Sequence, residues 1–147
     1  MGQKLIFNVE STSNGMRTDA IAGKHKIIID EPESLGGKDS AADPMSTLLA
    51  ALVACENVMA QIISKEMKII IDDLSFQVEG ELDLSGLMGN LEVKPYFEKV
   101  NVKAFVKTTA SEEQVQELCN KVEQRCPIFR TMKDAGILIE NKWTKKE

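Results

Sequence analysis

Histidine, arginine and proline are scarce in this chain of 147 residues, which holds one His, three Arg and four Pro, with a single Trp and a single Tyr. One histidine cannot complete a Cys/His zinc cluster, and the three cysteines, Cys55, Cys119 and Cys126, contain no CxxC spacing. A cysteine–histidine nucleophile pair would have to use His25, which lies in the basic Lys24-His25-Lys26 and reads as an exposed strand residue. Long apolar runs are missing. The longest, residues 48–55, is far short of the roughly 20 residues a bilayer requires, so no membrane segment is expected. Basic excess is missing as well: a net charge of −5 and a pI near 5.0 argue against a nucleic-acid partner. Residues 1–7 lack the apolar core and cleavage site of a secretory leader, and Ile6 stands where a myristoylation signal has Ser or Thr. A cytoplasmic location is the expectation, with the cysteines starting out as thiols.

What is present is the balance of an ordinary globular domain, 43% hydrophobic and 28% charged. The length suits a single domain over residues 1–147, large enough to bury a core without a disulfide or metal staple. Leu5, Phe7 and Val9 alternate with polar neighbours, Asn14-Gly15 signals a hairpin, and Ile27-Ile28-Ile29 ends a strand-rich segment. After a loop rich in turn residues, Asp43 as N-cap and Pro44 at the first helical position open a helix over 45–65. That helix is apolar on nearly every side, which predicts a central position covered by other elements. The period then changes from 3.6 to 2 in strands around Leu74–Asp83 and Val100–Val106. Ser111 and Gln114 form a capping box for a helix with the stripe Val115, Leu118, Cys119, Val122; Pro127 restarts a helix, Gly136 ends it, and 137–143 is a last strand. The order predicts an α+β fold, with antiparallel sheets around a long apolar helix.

The cysteines differ in their surroundings. Cys119 occupies a core position of an amphipathic helix. Cys55 lies on the apolar stripe of the long helix, where an apolar setting raises a thiol's pKa, yet Glu56 and Asn57 follow it directly in a helix poor in polar residues. Cys126 precedes Pro127 and so caps the next helix, where the dipole and free N–H groups favour a thiolate; Arg125 and Arg130 flank it. The third arginine, Arg17, follows the first hairpin turn. It reads either as a surface strand residue or as the cation for a buried thiolate.

These residues carry a resemblance. Asp30-Glu31-Pro32, Leu35-Gly36-Gly37-Lys38-Asp39, Asp43-Pro44 and the run from Leu48 to Cys55 resemble the OsmC/Ohr superfamily, the osmotically inducible protein C and organic hydroperoxide resistance proteins. The run Val78-Glu79-Gly80-Glu81-Leu82-Asp83 and the helix start Cys126-Pro127-Ile128 match in the same order, so the similarity covers nearly the whole chain. The resemblance implies an OsmC-like fold in an intertwined homodimer. In the peroxidase branches it implies that Cys55 is the peroxidatic cysteine, Cys126 the resolving one, and Arg17 the cation that best fits the branch's arginine. That branch commonly has Glu directly after the proline that opens the central helix, to anchor the arginine; here the residue is Met45, and Glu56, Asp39 and Asp43 are the nearby substitutes.

The implied activity is a thiol-dependent peroxidase in oxidative stress defence, reducing organic hydroperoxides through a sulfenic acid and then a disulfide. It implies an external dithiol, thioredoxin-like or lipoyl reductant and no metal, haem or flavin. The alternative is an OsmC-like dimer without peroxidase activity that binds or senses an apolar or electrophilic small molecule.

Overall fold

Two glycine turns fold the N-terminal segment into a meander. The computed structural model describes residues 2–147, which divide into two compact units with the boundary between Leu48 and Leu49. In the first unit β1 (Glu10–Asn14), β2 (Arg17–Ala22) and β3 (His25–Ile29) form an antiparallel sheet in that order. Gly15 turns the first hairpin at φ 61°, pairing Asn14 with Arg17, and Gly23 turns the second at φ 64°, pairing Ala22 with His25. Both glycines take the left-handed conformation that tight two-residue turns demand. His25 is an exposed strand residue, as its sequence context indicates. The alternation at Leu5, Phe7 and Val9 does not become a strand: no strand among the described residues lies beside it, and these side chains are exposed. Alternation needs a hydrogen-bonding neighbour before it is a strand.

Asp43 caps the long helix α1 (Pro44–Glu66), its Oδ1 accepting from the Ser46 amide at 2.8 Å. Pro44 sits where the missing N–H costs nothing. The apolar periphery expected to be covered is only partly so. The buried residues are Leu52, Glu56, Ala60, Ile63 and Ser64, while Leu48, Val58 and Ile62 remain 38%, 53% and 45% exposed. Periodicity counts apolar faces but does not say which of them this chain covers itself.

In the second unit β4 (Asp73–Glu81) pairs antiparallel with β5 (Lys99–Lys107), and Gly80 lies opposite Val100. The helices α3 (Glu112–Arg125) and α4 (Pro127–Asp134) then carry the chain over to β6 (Leu138–Lys146), after a short helix α2 (Leu84–Leu87) between β4 and β5 that the sequence pattern does not announce. A crossover through helices returns a strand in the same direction, so β6 runs parallel to β5 and this sheet is mixed, correcting the expectation of wholly antiparallel pairing. Val100, Val102, Ala104 and Val106 of β5 are buried, as are Val115, Leu118, Cys119 and Val122 of α3. The capping box forms: Ser111 Oγ accepts from the Gln114 amide at 3.1 Å and Gln114 Oε1 from the Ser111 amide at 2.9 Å.

Candidate functional site

The second unit gathers the cysteines. Pro127 holds Cys126 in an extended conformation (φ −73°, ψ 114°), so that it closes α3 and caps α4 at once. Its Sγ accepts from the Phe129 amide at 3.5 Å. The local geometry is the one its sequence context indicates, but the electrostatic outcome is reversed. Cys126 is fully buried, and burial pushes its thiol up to about 12; the neighbouring Cys55 thiol adds to the rise, against the pull of the Phe129 N–H. The flanking arginines are committed elsewhere. Arg125 grips Glu66 through two bonds of 2.6 and 3.0 Å, and Arg130 holds Asp134 at 2.6 Å.

The Cys55 thiol lies near enough to Cys126 to raise the Cys126 thiol further. It is half-exposed, at the edge of the buried face of α1 rather than in its middle. The residue in the middle is Glu56. Successive helical residues lie about 100° apart, and this one points fully inward, 0% exposed. Its Oε1 accepts from Asn141 Nδ2 at 2.8 Å, and Asn141 Oδ1 in turn accepts from Trp143 Nε1 at 3.1 Å. Its Oε2 is buried without a partner. Burial raises the Glu56 carboxyl to about 7, outweighing the Asn141 hydrogen bond and the nearby Trp143 N–H, with repulsion from Glu123 adding to the rise. Cys119 donates to the Asn141 carbonyl at 3.8 Å. Burial, then the Glu123 and Glu56 charges, push its thiol to about 12, as befits an inert core cysteine. Asn141 is the site residue that the sequence reading misses. The available signal is an amide in a strand, a residue type depleted there.

Arg17 and Asp39 belong to the first unit. Arg17 opens β2 and is half-exposed; its Nε donates to Asp19 Oδ1 at 2.7 Å, Nη2 to Asp19 Oδ2 at 3.4 Å and Nη1 to Ser40 Oγ at 3.4 Å. Lys26 Nζ reaches the same carboxylate at 3.0 Å, and the two cations hold Asp19 down to about 2. The carboxylate paired with Arg17 in this unit is therefore Asp19, two residues along the strand and so on the same face. Asp39 is exposed at a left-handed φ of 53°, its amide donating to the Glu31 carbonyl at 3.0 Å, and Asp43 is spent on the α1 cap. Among the described residues no group of three or more His, Cys, Asp and Glu side chains is placed to hold a metal ion.

The sequence pattern of the OsmC-like protein family matches residues 37–141. The chain belongs to that family. No curated protein matches the sequence. Among solved structures, the OsmC-like protein of Mycoplasma pneumoniae superposes with a TM-score of 0.84 at 22% identity, over 100% of both chains. The organic hydroperoxide resistance protein OsmC of Legionella pneumophila gives 0.72 at 18% identity, over 99% of this chain and 100% of that one. The organic hydroperoxide resistance protein of Bacillus subtilis gives 0.62 at 22%, over 97% and 98%. These likenesses establish the α+β OsmC-like fold. Helix α1, long and apolar enough to cross a bilayer by length and composition alone, is the central helix of that fold.

Proposed function

We propose that this chain is a two-cysteine peroxidase that reduces organic hydroperoxides. The observation that carries the reading is the pairing of unlike thiols in one unit, Cys55 half-exposed on α1 and Cys126 buried at the cap of α4, near enough for Cys55 to influence the Cys126 thiol. An accessible sulfur is suited to meet a peroxide, and a sheltered one beside it is suited to wait. The Cys55 thiolate attacks the distal oxygen of the hydroperoxide; the O–O bond breaks, an alcohol leaves and Cys55 becomes a sulfenic acid. Cys126 condenses with it to a disulfide, releasing water, and an external dithiol, thioredoxin-like or lipoyl, reduces that disulfide by exchange. A thiol of ordinary pKa, about 8.5, is only a few per cent ionised at pH 7, so a cation is needed. We assign that role to Arg17, with Asp19 anchoring the guanidinium in place of the branch's glutamate, a position Met45 cannot fill.

A second copy of this chain is the partner we assign to the uncovered apolar side chains Leu48, Val58 and Ile62 of α1 and to Ile6 and Phe7. No bound cofactor enters the cycle. Stress defence in the cytoplasm is the physiological setting we assign. One equivalent of cumene hydroperoxide, followed by intact-mass and free-thiol analysis, tests the chemistry. The expected result is a Cys55–Cys126 disulfide in the wild type, a sulfenic acid trapped on Cys55 in Cys126→Ser, and no reaction in Cys55→Ser. Three thiols untouched after minutes would overturn it.

A further inference from the structure

The loop from Asp30 to Ser40 has no task in the cycle above, although it encloses a carboxylate one hydroxyl away from Arg17. The Asp30 amide donates to the Ala42 carbonyl at 3.1 Å, which closes the loop, and the Asp30 side chain is buried within it. Asp30 Oδ2 accepts from Ser40 Oγ at 2.6 Å and from the Ser40 amide at 3.0 Å, so one oxygen holds Ser40 twice. Ser40 Oγ in turn accepts from Arg17 Nη1 at 3.4 Å. The direction of each bond is forced. A guanidinium only donates and an ionised carboxylate only accepts. The one hydroxyl proton of Ser40 therefore goes to Asp30, which leaves its lone pairs for Arg17. A hydroxyl polarised by a carboxylate is also the stronger acceptor.

Asp19 alone does not fix the guanidinium. Its Oδ1 takes Nε at 2.7 Å, but the bond from Nη2 to its Oδ2 is long, 3.4 Å, and Lys26 Nζ shares that oxygen at 3.0 Å. A guanidinium held mainly at Nε is free to swing. Ser40 braces it from the other side, at Nη1. With both anchors in place, one N–H on Nη1 and one on Nη2 remain to meet an anion from a set direction.

We propose that Ser40, held by Asp30, is a positioning residue for Arg17, fixing the guanidinium so that its remaining N–H groups point one way. This rests on the reading of Arg17 as the cation that serves the Cys55 thiolate. It gives the Asp30–Ser40 loop a part in the chemistry through Arg17, without contact to the peroxide.

Two measurements on the full, reduced chain separate this inference from the reading beneath it. The first concerns Arg17 alone, whose nitrogen-15 signals are assigned by their loss in Arg17→Lys. The wild type should show slow rotation of the guanidinium, with separate Nη signals. Ser40→Ala keeps the amide that bonds Asp30 and should rotate about fivefold faster, whereas Ser40→Thr keeps the hydroxyl and should behave as wild type. The second is the rate of iodoacetamide on Cys55 from pH 5.5 to 9, read by mass spectrometry, because the thiolate is the reacting form. Ser40→Ala should move the profile to higher pH, with a rate at pH 6 lower by about fivefold. Ser40→Thr should restore the profile, and Arg17→Met should move it further than Ser40→Ala does. Asp30→Asn removes the charge behind the hydroxyl; it should act in the same direction as Ser40→Ala and serves if that variant does not fold. Guanidinium rotation equally fast in wild type and Ser40→Ala would overturn the proposal. So would a Cys55 profile that moves in Arg17→Met but in neither Ser40→Ala nor Asp30→Asn. A profile unmoved in Arg17→Met would instead take Arg17 away from the thiolate and end the underlying reading, while the nitrogen-15 comparison would still decide whether Ser40 fixes the guanidinium.

Discussion

Asp30 and Glu56 are both carboxyls closed off from solvent, 2% and 0% exposed, yet they stand at opposite ends of the carboxylate range. Asp30, in the loop after β3, accepts from the Glu31 amide at 2.8 Å, the Lys38 amide at 3.3 Å, the Ser40 amide at 3.0 Å and Ser40 Oγ at 2.6 Å. Those donors, Ser40 foremost, hold it down to about 2. Glu56 has the Asn141 amide on one oxygen and nothing on the other, and burial lifts it to about 7. Enclosure is common to both; the supply of donors decides the sign. A loop can turn several backbone N–H groups toward one side chain. A helix interior has already used its own, which leaves Glu56 dependent on a neighbouring strand.

The comparison sharpens first in the pH dependence of stability. The Glu56 carboxyl binds its proton more tightly folded than unfolded, so its contribution is complete below the ordinary 4.5 and is lost as pH rises through about 7. Urea unfolding of wild type between pH 4 and 8 should therefore lose on the order of 3 kcal/mol more than Glu56→Gln does over the same range. Parallel curves would show that Glu56 is ionised throughout.

Gly37→Ala attacks the other carboxyl through its loop. A Cβ at Gly37 would run into the Glu31 carbonyl, a backbone group that cannot swing aside, so the turn presenting the Lys38 and Ser40 amides to Asp30 must shift. A loss of about 2 kcal/mol in urea unfolding is expected, and an unchanged midpoint would mean that the loop gives way freely.

Asn141→Ala removes the donor that Glu56 does have. It should cost about 1–2 kcal/mol and move the Glu56 carboxyl further up, visible by infrared difference spectroscopy as a protonated carboxyl persisting to higher pH. A lower titration point would break the account of how donors act here.

The smallest effect is expected at Asp30 itself. Its carboxyl is depressed from 3.8, so its contribution is present above that value and is lost as pH falls through about 2. Asp30→Asn should flatten the acid limb of the stability curve below pH 4 and leave its slope between pH 5 and 8 as in wild type. A change of slope in the neutral range would assign the titration to another group.

How far these regions could be read beforehand follows from the same physics. Asp43-Pro44, Ser111 with Gln114, and Cys126-Pro127 are local signals: cap and first turn lie within four residues, and each forms where the pattern places it. The thiol state of Cys126 is not local. The helix start is there, but enclosure by the rest of the unit outweighs it and raises the thiol. The apolar stripe through Cys55 is misjudged by one step around α1, because a helix apolar on most sides has no single moment to orient it. Only the packed structure turns Glu56 inward and Cys55 to the edge.

The sequence by itself determined most of the order of elements, the caps, the Asn14-Gly15 hairpin and, through an ordered set of motifs, the family. Such features are set by interactions over a few residues or by an ordered set of motifs, and both survive in one dimension. Tertiary structure alone decided the parallel return of β6, the Asp19 partner of Arg17, the enclosure of Cys126 and the bond from Asn141 to Glu56 across 85 residues. Ionisation at the cysteine cluster belongs to that second group, because it depends on which donors and charges the folded chain brings within reach of a buried atom.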